Sequence, residues 1–246
     1  MNKIDAILYF FIAQALFLFP SFSAAQTIQL KTEHYPPYNI DTSEQNGSAN
    51  ISGASFEIVS ELMKRSKYNY NIELIPWKRA LESASKNNYT GVFSTTRTES
   101  REKSFKWVGP IADNNYVLMA ANKNIKIESN NDLQRYSIGA YQGGAGDNIL
   151  KSLNIKTELV RSDHLNVRKL KRGRIDLWIT GNLYGPYLAK QYDVKGLTSV
   201  HTLKEAKMYI AFNLNTPNSI IDNLNNTLKK MRKEGFLDKV FNKYTN

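Results

Sequence analysis

Residues 91–102, "GVFSTTRTESRE", place an apolar pair, Val92 and Phe93, directly before Ser94, Thr95 and Thr96, with Arg97 and Arg101 close behind. Residues of these types can hold an anion. A guanidinium meets a carboxylate through two parallel charge-assisted hydrogen bonds, and a turn that opens a helix adds backbone N–H donors. A plainer design fits the same residues: Thr96 with Glu99 three positions on matches a capping box, which would leave both arginines solvated on a short helix.

Aromatic and polar candidates lie elsewhere in the chain. Tyr35 and Tyr38 flank Pro36-Pro37 on a stiff loop, and Trp77 and Arg79 open a helix after Pro76. Their flat faces suit stacking, or a cation held over a ring, but Tyr38 and Trp77 fit a lobe core equally well. Tyr141 and Gln142 precede a Gly-Gly turn, and Thr180 and Asn182 follow the strand "IDLWITG"; all four also read as ordinary turn residues.

Catalytic constellations are missing from the sequence. It has no Gly-x-Ser-x-Gly elbow, no His-Glu-x-x-His and no cysteine, and "GGAGDN" lacks the Gly-Lys-Ser/Thr ending of a phosphate loop. Glu33, Glu57 and Glu73 are carboxylates at positions that are usually solvated, and His34 reads as a strand-end residue. No metal or cofactor is expected.

The elements that must position these residues follow a regular order. "TIQL", "YNIELIP" and "YTGVFST" read as strands, with the helical stretches "FEIVSELMKR" and "WKRALESASKN" between them, which is the alternation of an α/β lobe with a largely parallel sheet. Residues 136–203 repeat the alternation. The extended "FKWVGPIADNNYVLMAANK" leads out of the first set and the strand "KMYIAFNL" follows the second, so the chain can leave one lobe and return to it. The C-terminal segment reads as helix, a break at Gly235, helix.

The first 25 residues have Lys3, an apolar run from Ala6 to Pro20 and then small side chains, the layout of a cleavable signal peptide. A signal and zero cysteines point to an exported, periplasmic protein that holds its fold by its core alone. The formal net charge of +11 lies wholly beyond that segment. Export and scattered lysines argue against nucleic acid, and leave general solubility or a basic face near an anionic membrane or ligand.

In order and spacing, "EHYPPYN", "FEIVSELMKR", "GVFSTTRTESREKSFKWVGPI", "SIGAYQGG", "GRIDLWITG" and "MRKEGFLDKVFNKY" resemble the bacterial extracellular solute-binding proteins of the family that includes periplasmic polar amino-acid receptors. The resemblance implies a type II periplasmic-binding fold, two α/β lobes joined by two crossover strands that act as a hinge. Its expected bounds here are a signal peptide at 1–25, lobe one at 26–115 and 211–246, and lobe two at 116–210. It implies that Ser94, Thr96 and Arg101 hold a ligand carboxylate, that an aromatic on the loop of Tyr35 and Tyr38 packs on the ligand, and that Tyr141, Gln142, Thr180 and Asn182 face it from lobe two. The family's aspartate just past the "ID" strand, which grips an ammonium, has no counterpart: Asp176 stands at the wrong end of that strand. The expectation is therefore a monomeric, non-enzymatic protein that closes on a small polar or anionic solute lacking that ammonium and delivers it to an inner-membrane ABC permease. A periplasmic sensor for a signalling receptor and a secreted dehydratase are the alternatives.

Overall fold

The computed structural model describes residues 26–43, 51–122 and 124–245. The signal-peptide expectation lies outside them. Among them, no helix is long and apolar enough to cross a membrane.

Two five-stranded sheets organise the chain. The first has the order β4 (Tyr70–Leu74), β1 (Ile28–Thr32), β5 (Thr90–Thr96), β12 (Lys207–Phe212), β6 (Lys106–Asp113). β1 is parallel to β4 and β5, and β12 is antiparallel to β5 and β6. The second has the order β11 (Thr198–Lys204), β7 (Tyr116–Ala120), β10 (Leu177–Gly181), β8 (Ile138–Tyr141), β9 (Glu158–Val160). A two-stranded ladder, β2 (Ile40–Asp41) with β3 (Ile51–Ser52), completes the set.

Each sheet is covered on both faces, which is why β5, β7 and β10 read as nearly unbroken buried runs. In lobe one, α1 (Ala54–Arg65), α7 (Asn218–Lys233) and α8 (Phe236–Thr245) cover one face, burying Ile58, Leu62, Leu224 and Met231 against Leu30, Phe93 and Ile210. On the other face, α2 (Trp77–Lys86) packs Trp77, Ala80 and Ala84 on Val92 and Ala211. In lobe two, α4 (Ala145–Ser152) lies on one face and α5 (His164–Lys171) with α6 (Tyr184–Gln191) on the other.

The chain crosses between sheets twice, at Asn114–Asn115 after β6 and at Glu205–Ala206 after β11. These crossings are tied to each other by Asn114 N–H donating to the Ala206 carbonyl at 2.9 Å. β12, which the sequence boundary divides between lobes at residue 211, pairs along its length with β5 and β6 of the first sheet.

Candidate functional site

The third strand continues further than the sequence suggested. Ser94 and Thr96 lie within β5, and the helix that follows, α3 (Glu99–Glu102), is a single turn that starts after Thr98, whose side chain makes no capping bond. The Thr96 capping box therefore does not form. In its place, Phe93 and Ser94 together face the single residue Ile210 of β12, a bulge with Ser94 at φ 58°. An extra residue in one strand bends it and re-aims the side chains around it. Ser94 and Thr96 both reach a cavity of about 50 Å³ between the two sheets.

Arg101 is only 5% exposed and enters this cavity from the α3 turn. It donates to the Thr96 carbonyl at 3.2 Å and to the Gly143 carbonyl, in lobe two, at 2.9 Å. Its guanidinium carbon stands 5.2 Å over the Trp77 ring, whose N–H donates to the same Gly143 carbonyl at 3.2 Å. Burial holds the guanidinium below its usual pKa range, countered by nearby Tyr116 and Glu33. Two carbonyls use two of the five donors of the fork. The remaining edge can take an anion.

Two carboxylates face the same space, and neither was expected there. Glu33 follows β1 and accepts a hydrogen bond from the Tyr141 hydroxyl at 3.3 Å. Burial pushes its pKa up to about 8, against the lowering effect of that bond and of Arg101. Asp163, just before α5, is raised to about 6 by burial; its Oδ1 accepts from Asn166 Nδ2 and from the Trp178 indole N–H, both at 2.8 Å, and these bonds oppose the rise. Near pH 7 the site thus carries one cation, Arg101, one largely ionised acid, Asp163, and one largely neutral acid, Glu33.

Of the residues singled out in the sequence, Tyr35, Trp77, Ser94, Thr96, Arg101, Tyr141 and Thr180 line the cavity. Four do not. Tyr38 is fully buried in the lobe-one core and donates to the Asp113 carbonyl at 2.8 Å, because the proline loop turns back and inserts it. Arg79 is exposed on α2, where the helix's buried stripe is Trp77, Ala80 and Ala84. Gln142 points to solvent while its backbone N–H extends the β8–β9 pairing to Val160. Asn182 is exposed and bonds the first crossing, accepting from Asn115 N–H at 3.1 Å.

Asp163 was hidden by its place in the sequence, where an acid before a helix reads as a cap. Its side chain makes no cap bond and turns inward. Trp178 was the available signal, since an indole N–H buried in a central strand needs an acceptor. Glu33 was legible as well, because it stands at the carboxyl end of a parallel strand, where open α/β sheets bind ligands. Cross-lobe contacts complete the site: Thr96 Oγ1 lies 3.0 Å from the Tyr116 hydroxyl, and the Tyr35 and Tyr184 rings are 4.2 Å apart. Among the described residues, no group of three or more His, Asp or Glu could hold a metal ion.

Comparison with known proteins agrees with this architecture. A protein of Neisseria gonorrhoeae named "Probable histidine-binding protein" is 22% identical over 207 residues, covering 81% of this chain and 76% of that one. The fold matches a histidine kinase sensor domain with similarity to periplasmic binding proteins at a TM-score of 0.77, with 16% identity over 90% of this chain and 96% of the other. It also matches an ancestral arginine-binding protein bound to arginine at a TM-score of 0.73, with 20% identity over 89% and 98% of the two chains. The family profile of the bacterial extracellular solute-binding proteins, family 3, matches residues 30–246, and the chain belongs to that family.

Proposed function

We propose that this protein captures a small carboxylate-bearing solute, an amino acid held at both of its charged ends, by closing its lobes in the periplasm, and that it delivers the solute unchanged to an inner-membrane ABC permease. One observation carries the reading: a buried guanidinium from lobe one shares a small cavity with a carboxylate from lobe two. At neutral pH that pair complements a zwitterion. The carboxylate takes the free edge of Arg101, and the ammonium takes Asp163, with Glu33 available to ionise beside it. The cavity is small, about 50 Å³, which suits a small solute. Asp163 removes the reason for expecting a solute without an ammonium. The likeness to a protein named for histidine binding supports an amino acid.

The test is thermal denaturation with a panel of amino acids and their des-amino analogues, using wild type, Arg101→Ala and Asp163→Asn. A ligand at a hundred times its Kd stabilises by about 2.7 kcal/mol, a rise of roughly 5–10 °C for a chain of this size. Arg101→Ala should lose the response to every carboxylate. Asp163→Asn should lose the response to amino acids alone. Equal responses of wild type and Arg101→Ala would refute the reading.

A second reading has its own support in the likeness to a kinase sensor domain. In it the same capture reports to a receptor instead of feeding a permease. Deleting the permease separates the two, because only transport depends on it.

A further inference from the structure

Residues 161–174, "RSDHLNVRKLKRGR", hold four arginines and two lysines against one acid, Asp163, which is turned inward to Trp178 and Asn166. Lys169 pairs with Glu158 at 2.7 Å. Arg161, Arg168, Arg172 and Arg174 are exposed and form no ion pair among the described residues; Arg168 lies over the Tyr192 ring, 5.4 Å from its centroid. Arg168, in the last turn of α5, and Arg172, its C-cap, stand four apart, a like-charge spacing that the negative end of the helix dipole makes tolerable and that leaves both guanidiniums without an ion pair among the described residues.

One apolar side chain interrupts this basic face: Leu165, 38% exposed, is one of the three large hydrophobic residues exposed among the described residues, whereas Leu159 pairs with Ala140 and turns to the α4 side of the sheet. Leu165, Arg168, Lys169 and Arg172 follow helical spacing along one side of α5, and with Val160 and Arg174 they edge a groove of about 230 Å³. Val160 ends β9, the edge strand of the second sheet.

We propose that this basic, leucine-edged face of lobe two seats the protein on an anionic phospholipid surface, with Arg168, Arg172 and Arg174 on headgroup phosphates and Leu165 at the acyl boundary. The guanidinium fork matches phosphate oxygens in pairs. Cations clustered beside an exposed leucine have the amphipathic make-up of an interfacial contact, in which charge attracts and an apolar side chain inserts. An acidic protein would have to match carboxylates to arginines spread over a helix, its C-cap and the loop beyond it, and also cover the leucine. A membrane needs only proximity.

The experiment is co-flotation of the full chain with vesicles of phosphatidylcholine alone or with 30% phosphatidylglycerol; pure phosphatidylcholine subtracts what the apolar leader contributes. Each cation at an anionic surface contributes roughly fivefold in partitioning, so Arg168→Glu/Arg172→Glu/Arg174→Glu should lose about a hundredfold or more. The matching triple arginine-to-lysine variant should keep most of the binding, which guards against reading a folding defect as a lost contact. Leu165→Ser should lose the part that resists 0.5 M salt. No preference for phosphatidylglycerol, or equal flotation of the triple glutamate variant, overturns the proposal. Self-association through β9, or binding to an acidic protein with no vesicle binding, replaces it.

Discussion

Asp163 shows how one side chain depends on the donors behind it. Its Oδ1 takes two hydrogen bonds, from Asn166 and Trp178, and both favour the ionised form against burial. Trp178→Phe removes one donor and leaves a small cavity in the core, so the carboxyl should titrate above its present value of about 6 while the fold loses some stability. With the acid ionised in a smaller fraction of molecules at pH 7, affinity for an ammonium-bearing ligand should fall by about two- to tenfold, and its rise with pH should shift to a more alkaline midpoint. Calorimetric titration between pH 5 and 9 measures both. An unmoved midpoint would show that Trp178 packs the strand without governing the acid. Arg101 was legible in the sequence because it stands just past a buried strand among hydroxyls, whereas Asp163 carries the spacing of an ordinary cap and depends for its role on a tryptophan fifteen residues away.

At the scale of elements, the lobes meet where β10 has no side chain. A Cβ added to Gly181 would come within 2.5 Å of both the Tyr35 hydroxyl of lobe one and Asn114 Oδ1 of the crossing. Gly181→Ala should lower the Tm of the unliganded fold only slightly, because the lobes can part and the Asn114 side chain can turn aside, and should weaken ligand binding by an order of magnitude or more by blocking closure. Removing the Tyr35 hydroxyl in the double variant with Tyr35→Phe should restore part of the loss, a coupling that a double-mutant cycle reads directly. Additive losses would place the two residues in separate roles. The alternation of strands and helices was legible because buried parallel strands and amphipathic helices leave different periods in the sequence. The bulge at Phe93–Ser94 was not, since its cause is the register that β12 imposes from more than a hundred residues away.

At the scale of the whole molecule, the proposed hinge motion would link the contacts between lobes to proton uptake. Tyr141 of lobe two sits on Glu33 of lobe one, and Arg101 and Trp77 on the Gly143 carbonyl. Enclosed in this way, Glu33 has its pKa raised from 4.5 to about 8, chiefly by burial, and Asp163 from 3.8 to about 6. When the lobes part, both groups return toward their ordinary values. A raised carboxyl binds its proton more tightly in the closed form, so closure is favoured fully below pH 4.5 and loses that advantage as pH rises through 8. Asp163 contributes between about pH 4 and 6, Glu33 across the whole window. The unliganded protein should therefore expand between pH 5 and 8, seen as a rise in radius of gyration by small-angle scattering. A cationic group on the ligand reverses the sign, because it pairs with the ionised acids and closes the cleft at high pH with release of protons. Glu33→Gln stays neutral, so it should remove the upper part of the expansion and leave only the lower, Asp163 step. A radius of gyration that does not change with pH in wild type, or that changes equally in Glu33→Gln, would show that closure is not linked to this carboxyl.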